Sequence, residues 1–459
     1  MRLARRLGLL VWGPIFAASM LVVVATASCA HSGAPATGSS DADATPSFGS
    51  DDAMVPTAPC VNLQCKRVDC GSAPKTSIRG VVHTGAKLDP DPVYNAIVYI
   101  PNETPAPFAV GVMCDHCGVI TSGKPVSAAI TAADGSFTLD DVPVGTDIPL
   151  VIQLGKWRRQ VVISTVTACT RNELVDELTR FPRNRTEGDI PRIAVATGFI
   201  DPFECVLRSM GIDDAEFTPP TADGRVHVFD ADGARVGPGT PSADQLWSDL
   251  ATLKRYDMVL LPCEGHEDIK TPEATQNIID YTAVGGRVMT SHYGYVWIAH
   301  AQMPFPSSAD WSTNQGALAT PLIAAIDRSF PKGQAMADWL RAVGASEVFG
   351  QIDIDEPRHD LGAARNGSRR WISAKEDPTT VLHLTFNTPI GSNDAAQCGR
   401  VVYSDFHVAT HAAVASAPFP SECLDGPLTP TERVLEFMLL DLQTCIQNDD
   451  EYPKSPPAR

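Results

Sequence analysis

Residues 257–294 read DMVLLPCEGHEDIKTPEATQNIIDYTAVGGRVMTSHYG, and this stretch decides the fold. Asp257 to Leu261 (DMVLL) reads as a strand closed by Pro262, Pro272 to Val284 as a helix stopped by Gly285-Gly286, and Arg287 to Ser291 as a second strand. Short continuous apolar runs between turn residues are strands buried on both faces, as a parallel sheet under helices requires. The pattern continues upstream, with a strand at Arg192 to Thr197 before Gly198, a short helix at Pro202 to Met210 closed by Gly211, a strand at Arg225 to Phe229 and a helix at Ala243 to Leu253. Downstream come a helix at Gly333 to Val343, strands near Val381 to Phe386 and Arg400 to Asp405, and a last helix at Thr429 to Leu442. The alternation predicts an α/β unit over residues 189–447, a parallel sheet covered on both faces.

The runs IPRIAVATG, YDMVLLPCEG, IIDYTAVGGRVMTSHYG and GRVVYSDFHV resemble the class I glutamine amidotransferase-like superfamily, including its trehalose-utilisation type, over most of residues 190–445. The resemblance implies a flavodoxin-like sheet. In catalytic members a cysteine stands at the centre of a G-x-C-x-G elbow after the strand that here is RVMTS. This chain has Thr290-Ser291-His292-Tyr293-Gly294 there, so His292 occupies the nucleophile's place. The family's catalytic His followed two residues on by Glu is also missing, because His407 precedes Val408 and Ala409. The resemblance therefore implies a degenerate site and argues against glutamine hydrolysis by that mechanism.

Open α/β sheets bind ligands at the carboxyl ends of their strands. The sequence delivers Cys263, Glu264 and His266 after DMVLL, His292 after RVMTS, and Asp405 and His407 at the end of RVVYSDFH. Imidazoles beside a carboxylate and a thiol activate a nucleophile or bind a metal. Cys263, Glu264, His292 and His407 are thus the candidate catalytic set, and His266, Tyr293, Tyr295 and Asp405 the candidate ligand-binding set. A metal held by His266, His292 and His407 is an alternative, and so are structural roles, including a bridge from Cys263 to Cys205. Tyr293, Tyr295 and Trp297 suit either a cleft for a hydroxylated ligand or packing beneath a loop. Residues 299–320 lack periodicity and form a candidate lid. With no Walker A motif, no GxGxxG opening a helix, no EF-hand loop and no HExxH, no cofactor is implied.

Before the α/β unit, SIRGVV, NAIVYIP, TAADGSFTLDDVPVG and IPLVIQ are short β-rich runs separated by turns, which predicts an all-β sandwich over residues 60–185. Residues 76–165 resemble the carboxypeptidase regulatory-like domain, a transthyretin-type sandwich, apart from an insertion carrying Cys114-Asp115-His116-Cys117. The resemblance implies an accessory or adhesion module without catalytic residues of its own.

Residues 1–28 have the basic start, apolar stretch and small-residue end of an export signal, and Thr26-Ala27-Ser28-Cys29 resembles a bacterial lipobox, which implies lipidation of Cys29. Residues 29–59 read as a disordered tether and 448–459 as a disordered tail. In an exported chain the 12 cysteines point to disulfides. The clustering suggests that Cys114 and Cys117 pair with two of Cys60, Cys65 and Cys70; a zinc site among these thiols is the alternative. Without the lipid cysteine the count is odd, and Cys263 is the natural candidate for the leftover thiol. A net charge of −18 argues against nucleic-acid partners, and no further long apolar run suggests multiple membrane spans. The expectation is an envelope lipoprotein, attached to the membrane through its lipid, that binds or scaffolds a carbohydrate or other envelope ligand. The alternative is an extracytoplasmic hydrolase using Cys263 or a His-bound metal.

Overall fold

Alternating and continuous apolar runs become sheets in the computed structural model, which describes residues 59–117, 121–407 and 417–458. The expected signal peptide, Cys29 and all but the last residue of the expected tether lie outside the described residues. Strands β1 (Ser77–Val81), β2 (Ile97–Pro101), β3 (Pro125–Ile130), β4 (Ser136–Asp140), β5 (Gly145–Leu154), β6 (Trp157–Val166) and β7 (Arg171–Glu173) form two sheets. One is antiparallel in the order β3-β2-β5-β6; the other, β4-β1-β7, pairs β1 antiparallel with β4 and parallel with β7. Strand alternation sends Val98, Ile100, Leu150 and Ile152 of the first sheet into one core with Ile78, Phe137 and Leu139 of the second. Ile97, Tyr99 and Val151 point to the opposite face.

After the short α1 (Asp176–Thr179), the chain enters the larger sheet through β8 (Ile193–Thr197), α2 (Phe203–Ser209), β9 (Phe217–Thr218), β10 (Val226–Asp230), α3 (Asp244–Trp247) and α4 (Leu250–Leu253). It continues through β11 (Met258–Leu261), α5 (Pro272–Ala283), β12 (Arg287–Ser291), β13 (Ala309–Trp311), β14 (Leu322–Ile326) and α6 (Pro331–Ala342). Strands β15 (Gln351–Ile354), β16 (Leu361–Ala364), β17 (Arg369–Ala374), β18 (Val381–Thr388) and β19 (Gly399–Ser404) precede α7 (Pro430–Leu442). The large sheet has 10 strands in the order β15-β14-β17-β18-β19-β12-β11-β8-β10-β9. From β19 to β9 the pairings are parallel, as expected, but β15, β14, β17 and β18 form an antiparallel wing that the expected all-parallel sheet lacks. The wing arises because β18 returns beside β19 in the opposite sense.

Ile193 and Val195 of β8 face α2 and α7, whereas Ala194 and Ala196 face Trp247, Tyr256 and Tyr281. Winding thus runs over one face from β8 to β10, then returns past β8 over the other to reach β11. That reversal is a topological switch point, and it leaves a crevice beyond the carboxyl ends of β8 and β11. The two strand ends approach so closely that a Cβ on Gly198 would lie 2.2 Å from the Cys263 carbonyl oxygen.

The sandwich and the α/β part share one continuous hydrophobic core. Tyr94 stacks on Phe437 with ring centroids 5.8 Å apart, and Trp339 Nε1 donates to the Pro92 carbonyl at 2.6 Å. The disulfides reinforce this junction and correct the expected pairing. Cys60 bonds Cys65 and Cys70 bonds Cys169, while Cys114 and Cys117 reach Cys398 and Cys445, and Cys205 joins Cys423. The insertion turns away from the N-terminal cysteines: Val112 N donates to Lys254 O at 3.0 Å, and Ile446 N to Asp115 O at 2.8 Å. Local clustering of cysteines in sequence carries no information about such a docking.

Two further expectations change. The proposed tail is held to the body where Arg400 grips buried Asp449 at 3.0 Å and Arg369 meets Asp450 at 2.8 Å. Within the candidate lid, β13 pairs with β16, and Phe305 packs edge-on against Phe386. No helix among the described residues is long and apolar enough to cross a membrane.

Candidate functional site

At the end of β12 the chain turns sharply. His292 has φ +36°, a left-handed conformation uncommon outside glycine, and begins a 3₁₀ turn, His292–Trp297. A side chain at Gly294 would strike Thr290 Oγ1 at 1.8 Å, so the turn demands glycine there. A strained strand-to-helix turn of this kind presents the nucleophile in elbow enzymes. Here it presents an imidazole.

Three other parallel strands converge on that imidazole. From the end of β11, Cys263 Sγ lies 3.5 Å from His292 Nδ1 and accepts from Gly265 N at 3.4 Å. From the end of β8, Asp201 accepts from Ser291 Oγ and contacts His407 Nδ1 at 3.1 and 3.2 Å. His407, beyond β19, meets the His292 ring edge-on at 4.6 Å. Asp360 Oδ2 is 3.6 Å from His292 Nε2, and Asp360 Oδ1 accepts from Gln315 N at 2.8 Å. The Tyr403 hydroxyl lies 3.0 Å from the His292 carbonyl oxygen and 2.9 Å from Asp405 Oδ1.

The cluster is shut away from solvent, with Cys263, Asp201, Asp360 and Asp405 at 0% exposure, His292 at 3% and His407 at 4%. Burial pushes the Cys263 thiol up to about 12, and the Asp201 charge adds to the shift. Burial likewise pulls His292 down to about 3, with His407 and Arg358 contributing. Asp405 rises to about 8 through burial and the neighbouring Asp360. At neutral pH, Cys263 and His292 are therefore a thiol and a neutral imidazole. They form a hydrogen-bonded pair, unlike the thiolate–imidazolium pair of cysteine hydrolases.

Other candidates lie elsewhere. Glu264 is clamped by Lys270 at 2.7 and 2.8 Å, and Lys270 sits 4.6 Å above the Trp247 ring. His266 borders a small cavity with Glu264, Asp268 and Tyr293. Tyr295 and Trp297 are buried, with the Tyr295 hydroxyl donating to Glu267 at 2.9 Å, so neither lines an open cleft. At the strand ends, the ligand atoms that lie within 4.8 Å of one another belong to Cys263, His292 and His407, a different set from the alternative of His266, His292 and His407. Asp201, Ser291, Asp360 and Tyr403 were not anticipated. Asp201 and Ser291 could have been found from their strand-end positions, whereas Asp360 lies in the loop just before β16. On the surface, Asn366, Arg369, Asn387, Asp394, Gln397 and Asp450 line a polar cleft.

No protein-family profile and no curated protein matches the chain. Solved structures similar to it include a cytoplasmic protein from Salmonella typhimurium, 11% identical over 48% of this chain and 89% of that one, with TM-score 0.28. A ThuA-like protein from Bacteroides uniformis is 9% identical over 55% and 91%, with TM-score 0.31. PurLQS from Thermotoga maritima is 10% identical over 55% and 99%, with TM-score 0.29.

Proposed function

We propose that this chain is an exported, lipid-anchored binding or scaffold protein of the bacterial envelope, which retains an amidotransferase-like elbow without its nucleophile. The observation that carries the reading is His292 at φ +36°, an imidazole in the strained position where a reactive cysteine would stand. The neighbouring thiol offers no replacement, because Cys263 is buried and its pKa is raised to about 12. A cysteine hydrolase needs a thiolate that substrate can reach. The sandwich fits a transthyretin-type accessory module, and its continuous core with the α/β part suits a rigid scaffold. For a carbohydrate or other hydroxyl-rich envelope ligand, the surface cleft of Asn366, Asn387, Asp394 and Gln397 supplies amides and a carboxylate as hydrogen-bonding groups.

The test uses a Cys29→Ser chain, which should also leave the membrane fraction. Ammonia release from glutamine, ester hydrolysis and co-sedimentation with isolated envelope polysaccharide are measured together. The expected result is no turnover, with retention on the polysaccharide weakened by Asn387→Ala. Turnover abolished by Cys263→Ser would establish the hydrolase instead, and absence of any retention would remove the carbohydrate ligand.

A further inference from the structure

Cys263 is the only free cysteine among the described residues; the ten others are paired in disulfides. Two other groupings could in principle take a metal, Cys114 with His116 and Cys398, and Cys205 with Glu422 and Cys423, but their sulfurs are already bonded to each other. The buried trio at the strand ends keeps its sulfur available.

Its geometry suits a tetrahedral ion. Bonds of about 2.3 Å to sulfur and about 2.0–2.1 Å to imidazole nitrogen span a tetrahedral edge of about 3.5 Å. Cys263 Sγ and His292 Nδ1 are 3.5 Å apart. Each imidazole also has a carboxylate at its other nitrogen, the arrangement that orients ligating histidines in metal sites. Asp201 holds Nδ1 of His407, leaving Nε2 to be offered, and Asp360 lies 3.6 Å from His292 Nε2. His292 Nε2 and Asp360 Oδ2 are both buried without a hydrogen-bond partner, a costly state for polar atoms. Drawing His292 onto a cation through Nδ1 fixes the tautomer that directs an Nε2 proton at Asp360.

We infer that Cys263 Sγ, His292 Nδ1 and His407 Nε2 form a zinc-binding site at the switch point of the large sheet, with Asp201 and Asp360 as the carboxylates that orient the two imidazoles. Binding replaces the thiol proton: Zn²⁺ forms the S–Zn bond as the S–H proton leaves to solvent. Three protein ligands leave a fourth position open. The site is separate from the surface cleft and stands whether or not that cleft takes a carbohydrate.

The test uses the full chain carrying Cys29→Ser, stripped with a chelator and titrated with Zn²⁺ against a chromophoric competitor, then with Co²⁺ followed by absorbance. One equivalent of zinc should bind, and cobalt should give a thiolate-to-metal charge-transfer band. Cys263→Ser should abolish both, and Asp201→Asn should weaken zinc binding about 10–100-fold. Failure of wild type to retain zinc, equal retention by Cys263→Ser, or uptake of Cu²⁺ with zinc excluded would each overturn the assignment. If a variant fails to fold, the cobalt spectrum of the otherwise wild-type chain decides, since Cys263 is then its sole thiol source.

Discussion

Two buried polar clusters lie at opposite ends of β19, and they solve the problem of burial differently. At its start, Arg400 contacts Asp449 at 3.0 Å and Asp441 at 3.6 Å, and Lys332 pairs with Asp441 at 2.7 Å. Cations and carboxylates balance there. Burial alone would raise Asp449, yet Arg400 and Lys332 hold it below the usual carboxylate range. Beyond the end of β19, Asp360 and Asp405 are buried without a lysine or arginine in ion-pair contact among the described residues, beside two imidazoles and a thiol. The first cluster ties the C-terminal residues to the sheet by setting cations against carboxylates, although Arg400 Nε and both Asp441 carboxylate oxygens lack a hydrogen-bond partner. The second has ligand atoms to spare, which is the mark of a site.

The largest effect should come from breaking the balanced end. Arg400→Ala leaves two buried carboxylates short of a partner and should cost about 3–5 kcal/mol, read from urea unfolding. A loss below about 1 kcal/mol would show that water reaches the network. At the other end, Cys263→Ala in the chelator-stripped protein removes two weak hydrogen bonds and a small volume, and should cost about 1–2 kcal/mol. If it matched Arg400→Ala, the contrast between the two clusters would collapse. The smallest effect is on acid stability. Because the folded pKa of Asp449 is depressed, its contribution is present above the unfolded value near 3.9 and fades as pH falls through the folded value. Stability measured from pH 5 downward should thus fall less steeply in Arg400→Ala than in wild type.

What the sequence revealed follows this division. The parallel strands β8, β11, β12 and β19 are short buried runs legible between turn residues, and Cys263, His292 and His407 follow β11, β12 and β19. The wing strands β14 and β15 mix buried with exposed or half-buried residues over five and four positions, too short for either period to register, and Asp360, in the loop before the equally short β16, carried no signal either. For Tyr295 and Trp297 the sequence left a cleft and packing open, and the 3₁₀ turn buries both side chains, the packing alternative. The disulfide partners were illegible because spacing along the chain says nothing of where an insertion docks.

That docking has a consequence for biogenesis. The bonds from Cys114 and Cys117 span 284 and 328 residues, so a chain emerging from its N-terminus carries both thiols long before Cys398 and Cys445 exist. The first sulfurs they meet are Cys60, Cys65 and Cys70, the very partners that clustering suggests. A bond formed early between those sulfurs would be undone by thiol–disulfide exchange, so the native pairing waits until the last strand has arrived.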